Sequence, residues 1–399
     1  MALVLKICGS TWENDSRDKR ELSVYRELGN EVCVLAKGNS EDKGRADVVD
    51  GFSVYRMSTR PLGNYVPKSV NRFISLFTWA LYAKNLKPDI ISGHDLLPGL
   101  TISWMVTIFS CKKPILIYDS HEFELGRTAK RSRLQVALIK WWEKLIMDKC
   151  AYMIVVNESI RNEIIRIQNP KTKLIVVRNI PAKWNVDENV CATIRRKIFD
   201  ELAHESGYIL MYHGAIAYGR GIEKCIDILE YDNELLLVIM GPSLDISYKK
   251  EIHERIQKKG LDGRVLIKDA VPQEELWKWI GAVDAEMVLI EPVGKSYYLS
   301  LPNKLFESIL ARTPIIASDL PEISRIINDY NVGITVDQNN IGDISAKVRY
   351  LKDNKKLQEL IRENERVASE DLNWEKELCV LKDAFQDVMV SAYHGLQDL

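Results

Sequence analysis

The chain has 399 residues, 46% of them hydrophobic and 28% charged; that is a globular balance, which excludes a disordered or fibrous protein, at a length where two hydrophobic cores are expected instead of one. A formal charge of −1 and an isoelectric point near 6.6 supply no global attraction to nucleic acid, so none is expected as a partner and any basic function must be a patch. Seven scattered cysteines without a C-x-x-C pair are expected to be buried, reduced thiols in a cytoplasmic setting.

The first apolar run, 3–8, leads at once into a polar loop and reads as a strand, not a signal peptide. A helix over 17–28 and a strand over 31–36 follow, then a helix over 68–86 and strands over 90–92 and 115–118. The longest apolar stretch, 100–109, falls short of the roughly 20 residues that span a bilayer. A helix over 133–149 and strands over 153–156 and 174–177 complete the first series. Strands alternating with helices mean βαβ units and a parallel sheet, and continuous apolar strands mean burial on both faces.

Around 181–188 the pattern breaks into a polar, proline-containing stretch, taken as the hinge. Strands over 208–212, 235–240, 264–267, 285–289, 314–317 and 333–336 then form a second doubly wound series. The tail over 374–393 has helical spacing (Leu378, Leu381, Phe385, Val388) and is expected to cross back onto the first domain. The predicted domains are therefore 1–185, 186–375 and a C-terminal helix over 376–399.

Ligands of doubly wound sheets bind beyond the carboxyl ends of the strands. Three constellations lie there. His213-Gly214-Ala215-Ile216-Ala217-Tyr218-Gly219-Arg220-Gly221 follows a strand and opens a helix, so glycines admit a ligand to the backbone, helix-start N–H groups attract phosphate, and Arg220 can bind its oxygens bidentately. The alternative is a tight turn with a surface arginine. In Pro302-Asn303-Lys304-Leu305-Phe306-Glu307, the proline suits a first helical turn, and Asn303, Lys304 and Glu307 share a face. A lysine there opposes the helix dipole unless an anion is near, and Glu307 can take both hydroxyls of a ribose; the alternative is a solvated Lys304–Glu307 pair. His94-Asp95 and Asp119-Ser120-His121-Glu122 end adjacent strands of the first domain, where imidazoles can donate to phosphate or sugar oxygens, or serve only structure. No D-x-D, H-E-x-x-H or clustered Cys/His spacing occurs, so no metal is expected.

The segment GAIAYGRGIEKCI at 214–226 resembles the phosphate-binding turn of glycosyltransferase family 4, the group 1 glycosyltransferases of GT-B fold, and LPNKLFE at 301–307 with PIIASDLPE at 314–322 resembles the family's donor-nucleotide motif. YDSHEF at 118–123, PDIISGHD at 88–95 and VVRNIP at 176–181 fit the same pattern, in order along the whole chain. The resemblance implies an α/β fold of two facing Rossmann-like, doubly wound parallel-sheet domains, the first for the acceptor and the second for the nucleotide-sugar donor. It implies that Arg220 and Lys304 hold the donor diphosphate, that Glu307 binds the ribose, and that Asn303 and Leu305 belong to the same motif. Gly214, Gly221 and Gly241, with Ala270 and Val271 after Asp269, would form the turn and the base pocket. His121 would face the sugar or acceptor across the cleft, with Gly9, Asp15, Arg17 and His94 on the acceptor side, Asp15 and Arg17 in a loop or Asp15 at a helix start.

The activity implied is a retaining, metal-independent transfer of a sugar from a UDP- or GDP-type donor, with no cofactor, to a glycan or lipid-linked acceptor, in cell-surface polysaccharide or glycoconjugate synthesis. Three positions depart from the pattern: Leu299 replaces the first glutamate of the usual pair, Ala215 replaces the usual arginine, and Gly9-Ser10-Thr11-Trp12 replaces the usual glycine pair. A non-catalytic GT-B partner subunit is thus an alternative, as is a non-hydrolysing sugar-nucleotide epimerase, which would need acid/base carboxylates by the sugar. The segment 127–149 carries Arg127, Lys130, Arg131, Arg133, Lys140, Lys144 and Lys149 interleaved with Leu134, Leu138, Trp141, Trp142, Leu145 and Ile146. It reads either as a contact with the anionic inner face of a membrane or as a core-packed helix with a solvated basic face.

Overall fold

The computed structural model describes residues 1–13, 15–127, 131–243 and 245–394, with side chains to residue 390. They form two compact units: Met1–Arg178 together with the described residues from Glu377 onward, and Asn179–Lys376.

Unit 1 holds an eight-stranded sheet in the order β3-β4-β2-β1-β5-β6-β7-β8. Its strands are β1 (Leu3–Ile7), β2 (Glu31–Lys37), β3 (Lys43–Val49), β4 (Phe52–Met57), β5 (Ile90–His94), β6 (Ile115–Ser120), β7 (Tyr152–Val155) and β8 (Lys173–Val176). Every pairing is parallel except β3 with β4, an antiparallel edge hairpin. The sequence reading missed this hairpin, because β3 is KGRADVV, polar and largely exposed, without the apolar signal of a buried strand. The first four α-helices are α1 (Ser16–Glu27), α2 (Lys68–Asn85), α3 (Thr101–Phe109) and α4 (Arg133–Met147). Asp15 caps α1, accepting from the Asp18 N–H at 3.4 Å, and Ser132 and Gln135 close a reciprocal capping box on α4.

Unit 2 is a six-stranded, wholly parallel sheet in the order β11-β10-β9-β12-β13-β14. The strands are β9 (Tyr208–His213), β10 (Leu235–Met240), β11 (Val265–Lys268), β12 (Ala285–Val288), β13 (Ile315–Ser318) and β14 (Gly333–Val336). Residues alternate along β9 between two cores: Leu210 and Tyr212 pack with Ile226, Ile239 and Tyr248, whereas Ile209 and Met211 pack with Ile198, Val238 and Trp279. Burial on both faces explains the uninterrupted apolar runs in the sequence.

The last helix, Trp374–His394, enters unit 1 from Glu377 onward. There Arg178 donates to Glu377 through its backbone N–H at 2.6 Å and Nε at 2.8 Å, and Phe385 stacks on Tyr25 at 4.2 Å. Five cysteines are buried, but Cys111 and Cys379 are exposed, against expectation. No helix among the described residues is long and apolar enough to cross a membrane.

Candidate active site

In unit 2 the candidate residues lie at the carboxyl ends of β9, β10 and β11 and on the helix Asn303–Ala311. Gly214 leaves β9 with φ +120°. A Cβ on Gly241, whose φ is +152°, would lie 2.0 Å from the Gly214 carbonyl oxygen, so only glycine lets these two turns meet. Gly221 is confined in the same way, by Leu289 at 2.5 Å. The helix it opens, Ile222–Asp227, is only six residues long, so the charge for an anion comes mainly from side chains and not from a helix dipole.

Two cations supply it. Arg220, half-buried, lays its guanidinium 5.1 Å from the Tyr297 ring centre, and its Nε is buried without a hydrogen-bond partner. Lys304 is 6% exposed. Its Nζ sits 3.9 Å from the Tyr212 ring centre and makes no hydrogen bond. Burial pushes its pKa down to about 8, with Glu286 opposing and Arg220 adding to the fall. The expected alternative pairing of Lys304 with Glu307 is therefore absent: Glu307 Oε2 is held instead by His213 Nε2 at 2.8 Å. His213 Nδ1 and its backbone N–H meet Glu286 Oε1 at 2.9 and 3.1 Å. Burial disfavours the charged imidazole, but Glu286 and Glu307 outweigh it and lift His213 to about 9. A cationic His213 thus fixes Glu307, a role the sequence reading did not give it. The signal was His213 at the strand end itself; its partner Glu286, within an apolar strand, carried none.

Other positions need correction. Pro302 precedes the helix, with ψ +143°, instead of forming its first turn. Leu305 is fully buried in the core with Phe306 and Ile309, and its N–H donates to the Pro302 carbonyl at 3.1 Å, so neither group is open to a ligand. One Glu307 oxygen is held by His213, so its carboxylate is not the unengaged pair expected for a ribose. Asn303 is exposed at the helix start, Ala270 is exposed, and Val271 is half-buried in the loop after β11. Leu299 is buried and supplies no carboxylate.

In unit 1, β5 and β6 bring His94 and His121 together, with ring centres 3.7 Å apart. His94 Nδ1 lies 2.6 Å from Asp18 Oδ2, and His121 Nε2 lies 2.8 Å from Asp119 Oδ2. Burial alone would lower the His121 pKa; Asp119 and Asp18 raise it to about 10. Near neutral pH His121 is therefore a cationic donor and not a base. Beneath it is a network absent from the sequence reading. Lys6, wholly buried, reaches Asp18 and Asp119 at 2.9 Å each and also bonds Glu21. Two groups of side chains here, Asp18–Glu21–Asp119 and Asp18–His94–His121, are close enough to surround an ion. The Lys6 ammonium already lies among the first, 2.9 Å from Asp18 and from Asp119.

Arg17 is not in a loop. It lies in α1, buried, with Nη2 on Asp119 at 3.1 Å and Nη1 donating to the Val177 carbonyl at 3.0 Å, which removes it from the acceptor side. Asp15 takes the helix-start role and accepts from Ser10 Oγ at 3.0 Å. Gly9 is exposed just beyond β1, close to Pro98. In the basic segment, Arg127 pairs with Asp95 at 2.6 Å, Arg131 with Glu124 at 2.8 Å and Lys144 with Asp148 at 3.1 Å, and Lys130 lies outside the described residues. Its helix exposes Leu134 (70%), Leu138 (55%) and Trp141 (59%) as one stripe, whereas Ile146 is buried and Trp142 donates to Thr101 Oγ1 at 3.1 Å.

Comparison with known proteins agrees with this architecture. The profile of glycosyl transferases group 1 matches residues 194–368, and that of glycosyltransferase family 4 matches residues 22–180. The chain belongs to the group 1 glycosyltransferases and has their two-domain GT-B fold. A curated relative is the alpha-D-kanosaminyltransferase of Streptomyces kanamyceticus, 23% identical over 255 residues; the match spans 63% of this chain and 64% of that protein. Among solved structures, sucrose-phosphate synthase from Thermosynechococcus elongatus superposes with a TM-score of 0.76 at 15% identity, covering 98% of this chain and 100% of that one. Anabaena HepE in complex with UDP-glucose gives 0.71 at 13% identity, with the same coverage.

Proposed function

We propose that the chain is a retaining, metal-independent transferase that moves a sugar from a UDP- or GDP-linked donor to a glycan or lipid-linked acceptor in cell-surface polysaccharide or glycoconjugate synthesis. The observation that carries this reading is the pair Arg220 and Lys304, two partly or wholly buried cations without protein ion-pair partners among the described residues, beside a glycine-built turn and the fixed carboxylate of Glu307. A diphosphate satisfies both cations, and a ribose hydroxyl satisfies the carboxylate. HepE, which shares the fold, is solved with UDP-glucose, and another neighbour, WaaG, is involved in lipopolysaccharide biosynthesis.

In the proposed step the bond from the anomeric carbon to the diphosphate oxygen breaks, and the diphosphate keeps the electron pair. Arg220 and Lys304 stabilise the charge that develops. The departing oxygen takes the proton of the incoming hydroxyl, whose oxygen bonds to the anomeric carbon on the same face. Preorganised charge of this kind is worth about 3 kcal/mol per donor. His121, held protonated, is proposed as a donor to sugar or acceptor oxygens. The exposed Leu134–Leu138–Trp141 stripe, flanked by Arg133 and Lys140, supports peripheral docking at the cytoplasmic face of a membrane.

The test is release of nucleoside diphosphate in EDTA. Arg220→Ala and Lys304→Ala should each cut turnover about 100- to 1000-fold; near-normal turnover in either removes the assignment. Because Leu299 is buried and offers no carboxylate, a second reading is a partner subunit that binds nucleotide without turnover, which wild-type inactivity with intact nucleotide binding would favour.

A further inference from the structure

The geometry points to a second anion site, in unit 1: a pocket that takes the phosphate or diphosphate group of a phosphate-bearing acceptor. This inference rests on the reading of unit 1 as the acceptor-binding half. The cavity, of about 480 Å³, is lined by Lys37, Arg60, Lys68 and Arg72 and by no carboxylate. The four come from three separate elements: Lys37 is the last residue of β2, Arg60 lies just past β4, and Lys68 and Arg72 are one turn apart on α2. None has an ion-pair partner among the described residues. Among the described residues the Arg60 guanidinium bonds only the neutral Asn64 side chain, at 2.6 Å. The nearby arginines behave differently, since Arg45 and Arg56 both reach Asp47, at 3.0 and 3.1 Å. Lys37, Lys68 and Arg72 are exposed and Arg60 is half-buried; four like charges lining one cavity without a counter-charge repel one another, and a multivalent anion relieves that repulsion.

Two further features agree. The first turn of α2 has no acidic residue and no side-chain cap, so its N–H groups add to the positive potential. The pocket also opens at the carboxyl edge of the sheet, past β1, β2, β4 and β5, where Gly9 and Pro98 line it, the same edge at which β5 presents His94. A phosphate is specified by this arrangement more closely than a neutral sugar, which would leave the four charges unmatched. Because α2 exposes Phe73 and Phe77, the phosphate can be carried on a lipid as well as on a soluble sugar.

The test titrates the full chain with inorganic pyrophosphate at a fixed, saturating UDP concentration, which keeps pyrophosphate off Arg220 and Lys304. R60A/R72A should weaken pyrophosphate binding at least tenfold, while K355A/K356A, which removes two exposed cations elsewhere, leaves it unchanged. Titration with glucose 6-phosphate and sedimentation with phosphatidylglycerol vesicles separate the sources. Loss of the first in R60A/R72A assigns a soluble acceptor, loss of the second a lipid-borne one, and either supports the pocket. Absence of pyrophosphate binding, equal weakening in both double variants, or no change in R60A/R72A overturns it. Where UDP does not bind the wild-type chain, GDP takes its place in the titration; failure of both counts against the donor reading alone, because the pocket is judged on the difference between variants.

Discussion

Burial lowers the Lys304 ammonium to about 8, against the pull of Glu286 and with the help of Arg220, whereas a bound diphosphate must raise it. Binding above pH 8 should therefore take up a proton, and affinity for UDP or GDP should fall as pH climbs past 8. Calorimetry in buffers of different ionisation enthalpy reads this directly; buffer-independent heats at pH 8.5 would contradict it. Stability is a poorer readout, because two nearby groups have opposite signs. The depressed Lys304 disfavours folding while charged, a penalty relieved as pH rises through about 8. The raised His213, near 9, contributes stability that is complete below its unfolded value near 6.5 and lost as pH rises through 9. At this scale the sequence was partly legible. Lys304 and Glu307 stood out because a helix-start lysine conflicts with the dipole, but nothing in the spacing said that His213 would hold Glu307 or that Tyr212 would lie beneath the ammonium.

The elements of unit 1 are tied together by charge as well as by apolar packing. Lys6 in β1 joins Asp18 and Glu21 of α1 to Asp119 of β6, and Arg17 extends the tie to the Val177 carbonyl. Removing a wholly buried cation strands its carboxylates, so Lys6→Met should cost about 3–5 kcal/mol in denaturant unfolding; a change below about 1 kcal/mol would show that the carboxylates are compensated without it. Two signals mislead here. LVLKI reads as an apolar strand whose one lysine is noise, and the i, i+3 acids of α1 look like a solvated face. The βα alternation itself was plain, because strands buried on both faces are apolar throughout. The β3–β4 hairpin was not, because an exposed edge strand has no such run.

Across the molecule, two βα series fold as two compact units, with the last helix joining the first, an organisation visible in the order of strands; the division falls between Arg178 and Asn179, ahead of the polar break at 181–188 read as the hinge. What the sequence left open was which apolar residues of the basic segment face solvent. Leu134, Leu138 and Trp141 do, and replacing all three with serine should abolish sedimentation with anionic vesicles at low salt while leaving nucleotide binding intact. Unchanged sedimentation would remove this stripe as the membrane contact and leave the transferase reading untouched. The turn at Gly214–Gly221 and the helix at Asn303–Ala311 are proposed to form a nucleoside diphosphate site. This is tested most directly by thermal unfolding of the wild-type and Arg220→Ala chains with UDP and with GDP in EDTA. One of them should stabilise the wild type by about 2.7 kcal/mol at a hundredfold excess over Kd, and Arg220→Ala should lose that stabilisation. No shift with either nucleotide, or an equal shift in both chains, would contradict it.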